Sequence, residues 1–257
     1  MGSYALPLEV YVAGLVFVRV SAIVMLIPGI GDAAVPPRIR LAFALILSLV
    51  LFPLAAPTIA AIPATSGDLA GAVIKEALIG VMIGGLLRMF LSSLAVAGEA
   101  IALQTTLSFS QTANPLQAQP GTSITAFLSL LGITLVFATN LHHLFIGAVA
   151  NSYQLFPPGR AVPLQDASDM AVRTVSQAFS LGIQLAAPVI VFSLVLNVAA
   201  GIIGRVMPQF QIFFAATPLS ILVGLSVFAL SLGLIGLVWI ERYEAYVRPM
   251  AVGGPGG

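Results

Sequence analysis

The sequence predicts an all-α, polytopic helical membrane protein with about six long apolar helical segments arranged as hairpins. Three observations predict it. Of 257 residues, 59% are hydrophobic and only 7% are charged, against roughly 25% charged in an ordinary soluble domain. The mean hydropathy is +1.08. The apolar residues gather in runs that reach the ~20 residues a helix needs to cross the hydrocarbon. A soluble fold of this length must cover its surface with polar groups, and ten basic plus nine acidic residues cannot do that. A soluble globular enzyme and a disordered chain are thereby excluded. So is a nucleic-acid binder with a basic face, because the net charge is only +1.

The first apolar run covers about residues 8–30 and is interrupted by Arg19. A loop follows with Pro28, Gly29, Gly31, Asp32, Pro36, Pro37, Arg38 and Arg40. The second run, about 41–62, carries Pro53 and Pro57, so it is expected to kink or stop early. The third, about 69–97, contains Lys75, Glu76 and Arg88. A polar stretch, 104–123, separates it from the fourth run, about 124–150, which ends near His142 and His143. Residues 151–169 read as a loop with Pro157, Pro158, Gly159 and Pro163. The fifth run is about 172–203, with Pro188 inside, and the sixth about 212–240. Together they form one membrane domain, 1–257, with a core of about 8–240 and a short tail, 241–257, expected to fray. The first nine residues lack a basic region, so no signal peptide is expected. Runs of this length, rich in Leu, Ala, Val and Gly, suit helices and not alternating barrel strands.

Six alternating spans would put Arg160, Arg173, Arg242 and Arg248 on one side and Arg38, Arg40 and Arg205 on the other, too even a division to orient the chain. Gly80 and Gly84 are spaced as GxxxG. The pattern either marks a close helix contact or reflects chance in a chain with 24 glycines.

Charges inside apolar runs cost about 3 kcal/mol each at a helix centre and persist where they face protein or water. Arg19, Lys75, Glu76 and Arg88 are such charges, and Glu99 lies further along. Either they lie at interfacial depth or pair with one another, or they face partner subunits or an aqueous lumen. Lys75 and Glu76 are adjacent and cannot form an i,i+4 pair. His142 and His143 are also adjacent and should diverge on a helix, which favours a hydrogen-bonding role over a shared metal. With no cysteine in the chain, disulfides, thiolate metal sites and cysteine nucleophiles are excluded. No zincin, serine-nucleophile or phosphate-loop motif is present, so no enzymatic activity, metal or cofactor is expected.

The stretch from Gln104 to Pro115 is polar yet uncharged and lies between two apolar runs. Lipid cannot satisfy irregular backbone, so this stretch is either an exterior loop or a loop packed in a pore. In the second case Leu107 and Phe109 would seal while the amides adapt.

Several local patterns agree in order with the FliR/SctT family of export-gate proteins. Pro28-Gly29, Val35-Pro36, Arg38 and Arg40, then an apolar run to Pro53, are similar to its opening. Glu76, Gly80, Gly84, Arg88, Ala97-Gly98 and Gln104 resemble its third segment. Asn114-Pro115, Thr139-Asn140-Leu141-His142-His143, Ser152, Phe156-Pro157-Pro158-Gly159 and Ala187-Pro188-Val189 follow. The series closes with Gly201-Ile202-Ile203-Gly204-Arg205-Val206-Met207-Pro208-Gln209, then Phe213 and Pro218. Leu141, Gly204 and Gln211 depart from the pattern. The resemblance implies a non-enzymatic core subunit of a type III export gate in the bacterial inner membrane, within the flagellar basal body. FliP-like and FliQ-like membrane subunits, other export-apparatus proteins and rod proteins would be its partners, and unfolded rod, hook and filament proteins its passengers. No cofactor or nucleic acid is implied.

It further implies that neighbouring subunits cover much apolar surface and that a loop at about Leu107 to Pro120 plugs the closed pore. Leu107, Phe109, Gln111, Asn114 and Pro115 would shape that plug. Arg19, Glu76, Arg88 and Arg205 would make polar contacts between subunits or within the chain. Pro28, Pro36, Arg38, Arg40, Pro188 and Pro208 would be structural. Two alternatives stay open: the equivalent subunit of a virulence secretion system, and a secondary transporter of small solutes with helices broken near Pro53 and Pro188.

Overall fold

The computed structural model describes residues 5–32, 34–58, 62–108, 122–158, 164–207 and 212–252. Seven α-helices lie among them: α1 (Ala5–Val24), α2 (Pro37–Ala55), α3 (Ser66–Gln104), α4 (Ser123–Ala138), α5 (His142–Leu155), α6 (Leu164–Val206) and α7 (Ile212–Val252). Five are long and apolar enough to cross a membrane, or up to six spans if the bent pair α4–α5 forms one.

The ends of the helices follow local chemistry. Pro37 sits in the first turn of α2, where its missing N–H costs nothing, and Pro36 precedes it in extended geometry at φ −55° and ψ 139°. Past Pro53, α2 runs only to Ala55 and a 3-10 turn, Ala56–Thr58, so the second run stops short as expected. The fourth run, expected to be continuous over 124–150, is instead two helices bent by 77°. Asn140 takes a left-handed φ of 59°, and His143 N–H bonds back to Asn140 C=O at 3.1 Å, which starts a new helix at once. The sixth run also extends further than expected: α7 continues to Val252 through the residues expected to fray. Trp239, Tyr243 and Val247 recur every four residues and are all buried, and this stripe holds the helix beyond the apolar run.

The chain divides into two compact units. The first comprises Met1–Met89, Phe137–Thr174 and Glu244–Gly257. In it α1 and α2 pack together, and Val16, Val20 and Ile23 of α1, Leu87 of α3 and Val149 of α5 are fully buried. The second comprises Phe90–Val136 and Val175–Tyr243. Its core holds Leu94 and Ile101 of α3, Leu128 and Val136 of α4, Leu185 of α6, and Trp239 of α7. The Trp239 indole N–H would be costly to bury alone, and it donates to Ser93 Oγ at 3.1 Å. Its ring stacks on Tyr243 with centroids 4.8 Å apart.

Candidate functional site

Among the described residues of the first unit, a dense group of polar bonds is built on Arg19, in the last third of α1. Its Nε donates to Glu76 Oε2 of α3 at 2.5 Å. Nη1 donates to Ser152 C=O at 3.0 Å and reaches Ser152 Oγ at 3.5 Å, and Nη2 donates to Phe156 C=O at 2.9 Å. The guanidinium carbon lies 4.3 Å from the centre of the Tyr153 ring. Arg19 is 0% exposed and Glu76 3%. The planar fork of arginine suits this role: one edge takes a carboxylate while the other takes the carbonyls that end α5, where the helix dipole favours a cation. A lysine would supply neither the fork nor the stacking face. Lys75, next to Glu76, points elsewhere and is exposed.

The same face of α3 continues through Gly80, Gly84 and Arg88, each four residues on. A Cβ at Gly80 would stand 2.6 Å from both Ala22 Cβ and Arg19 C=O, and one at Gly84 would meet Leu26 Cβ at 2.8 Å. The GxxxG pattern is therefore a close contact with α1, whose backbone approaches because there are no side chains between. At the far end Arg88 pairs with Asp32 at 3.4 Å, with the two side chains 49% and 29% exposed. Asp32 also accepts from Gly29 N–H at 2.9 Å, and Gly29 has a left-handed φ of 86°. Arg40 donates to Gly31 C=O at 3.3 Å. The Pro28-to-Arg40 motif is thus a folded turn with Pro28 buried, while Pro36 and Arg38 are exposed.

In the second unit, the described ends of the polar stretch are both tied down. At the outgoing end, Thr105 Oγ1 bonds Ile101 C=O at 2.9 Å, Thr106 has φ 60°, and Ser193 of α6 donates to Gln104 C=O at 3.3 Å. At the returning end, Glu99 Oε1 accepts from Thr122 N–H at 2.9 Å and from Thr125 Oγ1 at 2.8 Å. Gly98 makes room for this: a Cβ there would fall 2.5 Å from Thr125 Cα. Leu107 is half-buried. Phe109, Gln111, Asn114 and Pro115 lie outside the described residues, as does Pro208.

The remaining expected positions are dispersed. Arg205 is exposed in the last turn of α6, where a cation complements the helix dipole. Helix α6 is continuous through Pro188 and α2 through Pro53, so neither helix is broken at its proline as the small-solute transporter alternative expects. His142 and His143 do not diverge. Their rings lie 4.3 Å apart, and His142 stacks on Phe137 with centroids 5.3 Å apart, because the helix begins at this pair and leaves both rings beside the bend. Among the described residues no group of three or more His, Cys, Asp or Glu is placed to hold a metal.

Residues 10–246 match the model of the family described as bacterial export proteins, family 1. The chain belongs to this family. It is 59% identical over 244 residues to the flagellar biosynthetic protein FliR of Caulobacter vibrioides, covering 95% of this chain and 97% of that one. It is 27% identical to the FliR of Bacillus subtilis, over 92% of each chain. It is 29% identical to that of Escherichia coli K12, over 84% of this chain and 82% of the other. The FliR/SctT resemblance read from the ordered motifs is borne out, and so is the polytopic helical fold. Within this export family, the signal for the Arg19 cluster was its charge in an apolar run. No sequence pattern indicated that Ser152, Tyr153 and the Phe156 carbonyl would complete it. Glu99 stood out only as one more charge beyond the third run: its partners are a backbone N–H and a hydroxyl, which carry no charge signal.

Proposed function

We propose that this chain is the non-enzymatic core subunit of a flagellar type III protein export gate. It would sit in the bacterial inner membrane and join FliP-like and FliQ-like subunits around a path for unfolded rod, hook and filament proteins. The observation that carries the reading is the family match over residues 10–246, with relatives that bear the name flagellar biosynthetic protein. Helix length supports the assembly. Helices α3, α6 and α7 have 39, 43 and 41 residues. At about 1.5 Å per residue each is roughly twice as long as the ~30 Å hydrocarbon layer. Yet α6 exposes apolar side chains from Val172 and Phe179 through Val191, Leu194 and Val198 to Val206, a stretch of about 50 Å along the helix. Apolar surface on helices that overreach the bilayer calls for cover by protein.

The polar stretch after α3 acts as the plug, with Leu107, Phe109, Gln111, Asn114 and Pro115 in it and Glu99 and Ser193 holding its two ends. Arg19 and Glu76 serve inside the protomer, and exposed Arg205 serves contacts with neighbours. Deleting the gene should abolish export and motility, and the full chain should restore both. Affinity purification of the chain should recover FliP-like and FliQ-like proteins. A chain that purifies alone as a stable monomer or homodimer, in cells that export without it, would overturn the reading.

A further inference from the structure

Between Thr174 and Leu185, α6 presents three different sides. Ala178, Leu181, Gly182 and Leu185 are buried, and a Cβ on Gly182 would meet Val96 Cβ at 2.6 Å and Ser93 C=O at 2.7 Å, so this side is pressed against α3. Val175, Phe179 and Ile183 form a second side, apolar and exposed. Gln177, Ser180 and Gln184 are exposed as well. At about 100° per residue they project within roughly 60° of one another, on a third side of the helix. Gln184 Nε2 donates to Ser180 Oγ at 3.2 Å, which ties two of the three into a local pair. The same register holds earlier on the helix, at exposed Asp166, Asp169 and Arg173. The exposed stretch of α7 from Leu222 to Leu237 has no such stripe: Leu222, Leu225, Leu230, Leu234 and Leu237 are its large exposed side chains.

Lipid meets every exposed side of a helix alike, so it does not account for an apolar side and an amide-lined side on the same turns. Primary amides in hydrocarbon cost several kcal/mol. The polar side therefore faces away from lipid. Its chemistry also indicates what it meets. Two amides and a hydroxyl donate and accept without a charge, and the two glutamine side chains are long. Such groups match water and peptide backbone of any sequence, and they hold neither charged nor apolar passengers tightly.

We propose that Gln177, Ser180 and Gln184 form a water-facing wall of the export path, over which the backbone of an unfolded passenger slides. This rests on the export reading above and deepens it. The chain has no cysteine, so an introduced thiol is the only one in this chain, and labelling is read on this chain separated from its partners. Gln177→Cys, Ser180→Cys and Gln184→Cys are compared with Val175→Cys, Phe179→Cys and Ile183→Cys in the full chain within its assembled complex in cells. The readout is the rate of labelling by a small maleimide, with and without an exported protein stalled midway by a fused folded domain.

Because the reacting species is the hydrated thiolate, the polar set should label at least about tenfold faster than the apolar set. Labelling should fall when the passenger stalls, and each polar-set thiol should form a disulfide with a cysteine placed in the stalled chain. Labelling no faster than the apolar set overturns the proposal. So does fast labelling that the stalled passenger leaves unchanged, with disulfides formed only to a neighbouring subunit. Export by each variant is scored in a strain lacking the gene. If that strain exports without the chain, the export reading fails. If it requires the chain but the stripe does not label, only the wall fails.

Discussion

Arg19 Nε and Glu76 Oε2 meet at 2.5 Å although 57 residues separate them in the chain. The pair is out of contact with water, at 0% and 3% exposure, so its two charges are balanced inside the protomer. Its position gives it a second consequence. Glu76 begins the stripe that continues through Gly80, Gly84 and Arg88, so the pair sets the register of α3 along α1. Arg19 also binds the last carbonyls of α5, so three helices share one guanidinium.

Removing one partner of this pair should be far more damaging than removing both. Glu76→Ala leaves a buried guanidinium without its counter-charge, and breaking such a pair costs about 3–5 kcal/mol. The steady-state level of the chain in membranes should fall sharply, and export with it. Glu76→Gln keeps an acceptor and should lie between the two. Arg19→Met combined with Glu76→Leu removes both charges and should recover much of the level lost in Glu76→Ala. A double variant no better than the single would show that the pair is needed for more than neutrality.

The two glycines at the α1 contact should be sensitive to a single carbon where their neighbour Gly85 is not. Gly80→Ala places a Cβ 2.6 Å from Arg19 C=O, which is backbone and cannot step aside. Overpacking of this kind costs about 1–3 kcal/mol. At Gly85 a Cβ meets nothing within 4 Å, and the better helix propensity of alanine should stabilise by up to about 1 kcal/mol. Thermal melting of the detergent-solubilised complex measures both. Equal effects at the two positions would contradict the contact.

The ion pair at the other end of the stripe should behave differently from Arg19–Glu76. Arg88 and Asp32 are 3.4 Å apart with Arg88 49% exposed. Pairs in that setting contribute roughly 0–1 kcal/mol. Arg88→Ala should therefore leave the level of the chain nearly unchanged. Asp32→Ala should cost more, because it also removes the acceptor for Gly29 N–H. Comparing membrane levels of the two variants distinguishes the turn from the salt bridge.

These contrasts also explain how much of the molecule was legible in the sequence. Arg19, Glu76 and Arg88 stand out because a charge in an apolar run needs a partner. Which partner it has depends on how helices far apart in the chain come together, and no local pattern encodes that. Gly80 and Gly84 were readable as a spacing, but only the packing of α1 turns the spacing into a contact. The bend after α4 was hidden because the run through 124–150 is apolar on both sides of Thr139-Asn140. The end of α7 was hidden for the opposite reason. Glu241, Arg242, Glu244 and Arg248 look like a solvated tail, while Trp239, Tyr243 and Val247 keep a buried stripe beneath them. Glu99 was the least legible, since its partners are a backbone N–H and a hydroxyl.

The ends of the polar stretch supply a test of the plug that does not require removing it. Glu99 Oε1 is the acceptor for both Thr122 N–H and Thr125 Oγ1. Glu99→Ala leaves Thr122 N–H unmet, while Thr125 Oγ1 keeps Thr122 Oγ1 at 2.8 Å, and it frees the returning end at a cost of about 1–3 kcal/mol for the donor without a partner. If the stretch seals the path, the gate should then leak small ions in the absence of passengers, more weakly than after deletion of Leu107 to Pro120. Glu99→Gln retains an amide oxygen able to accept both bonds, so it should stay close to the parent. Ion conductance across membranes containing the assembled complex orders the four forms. The expected order of leak is deletion, then Glu99→Ala, then Glu99→Gln, then parent. A deletion as tight as the parent would remove the plug from the mechanism. A tight Glu99→Ala beside a leaking deletion would leave the plug in place and assign its retention to other contacts, Ser193 on Gln104 first among them.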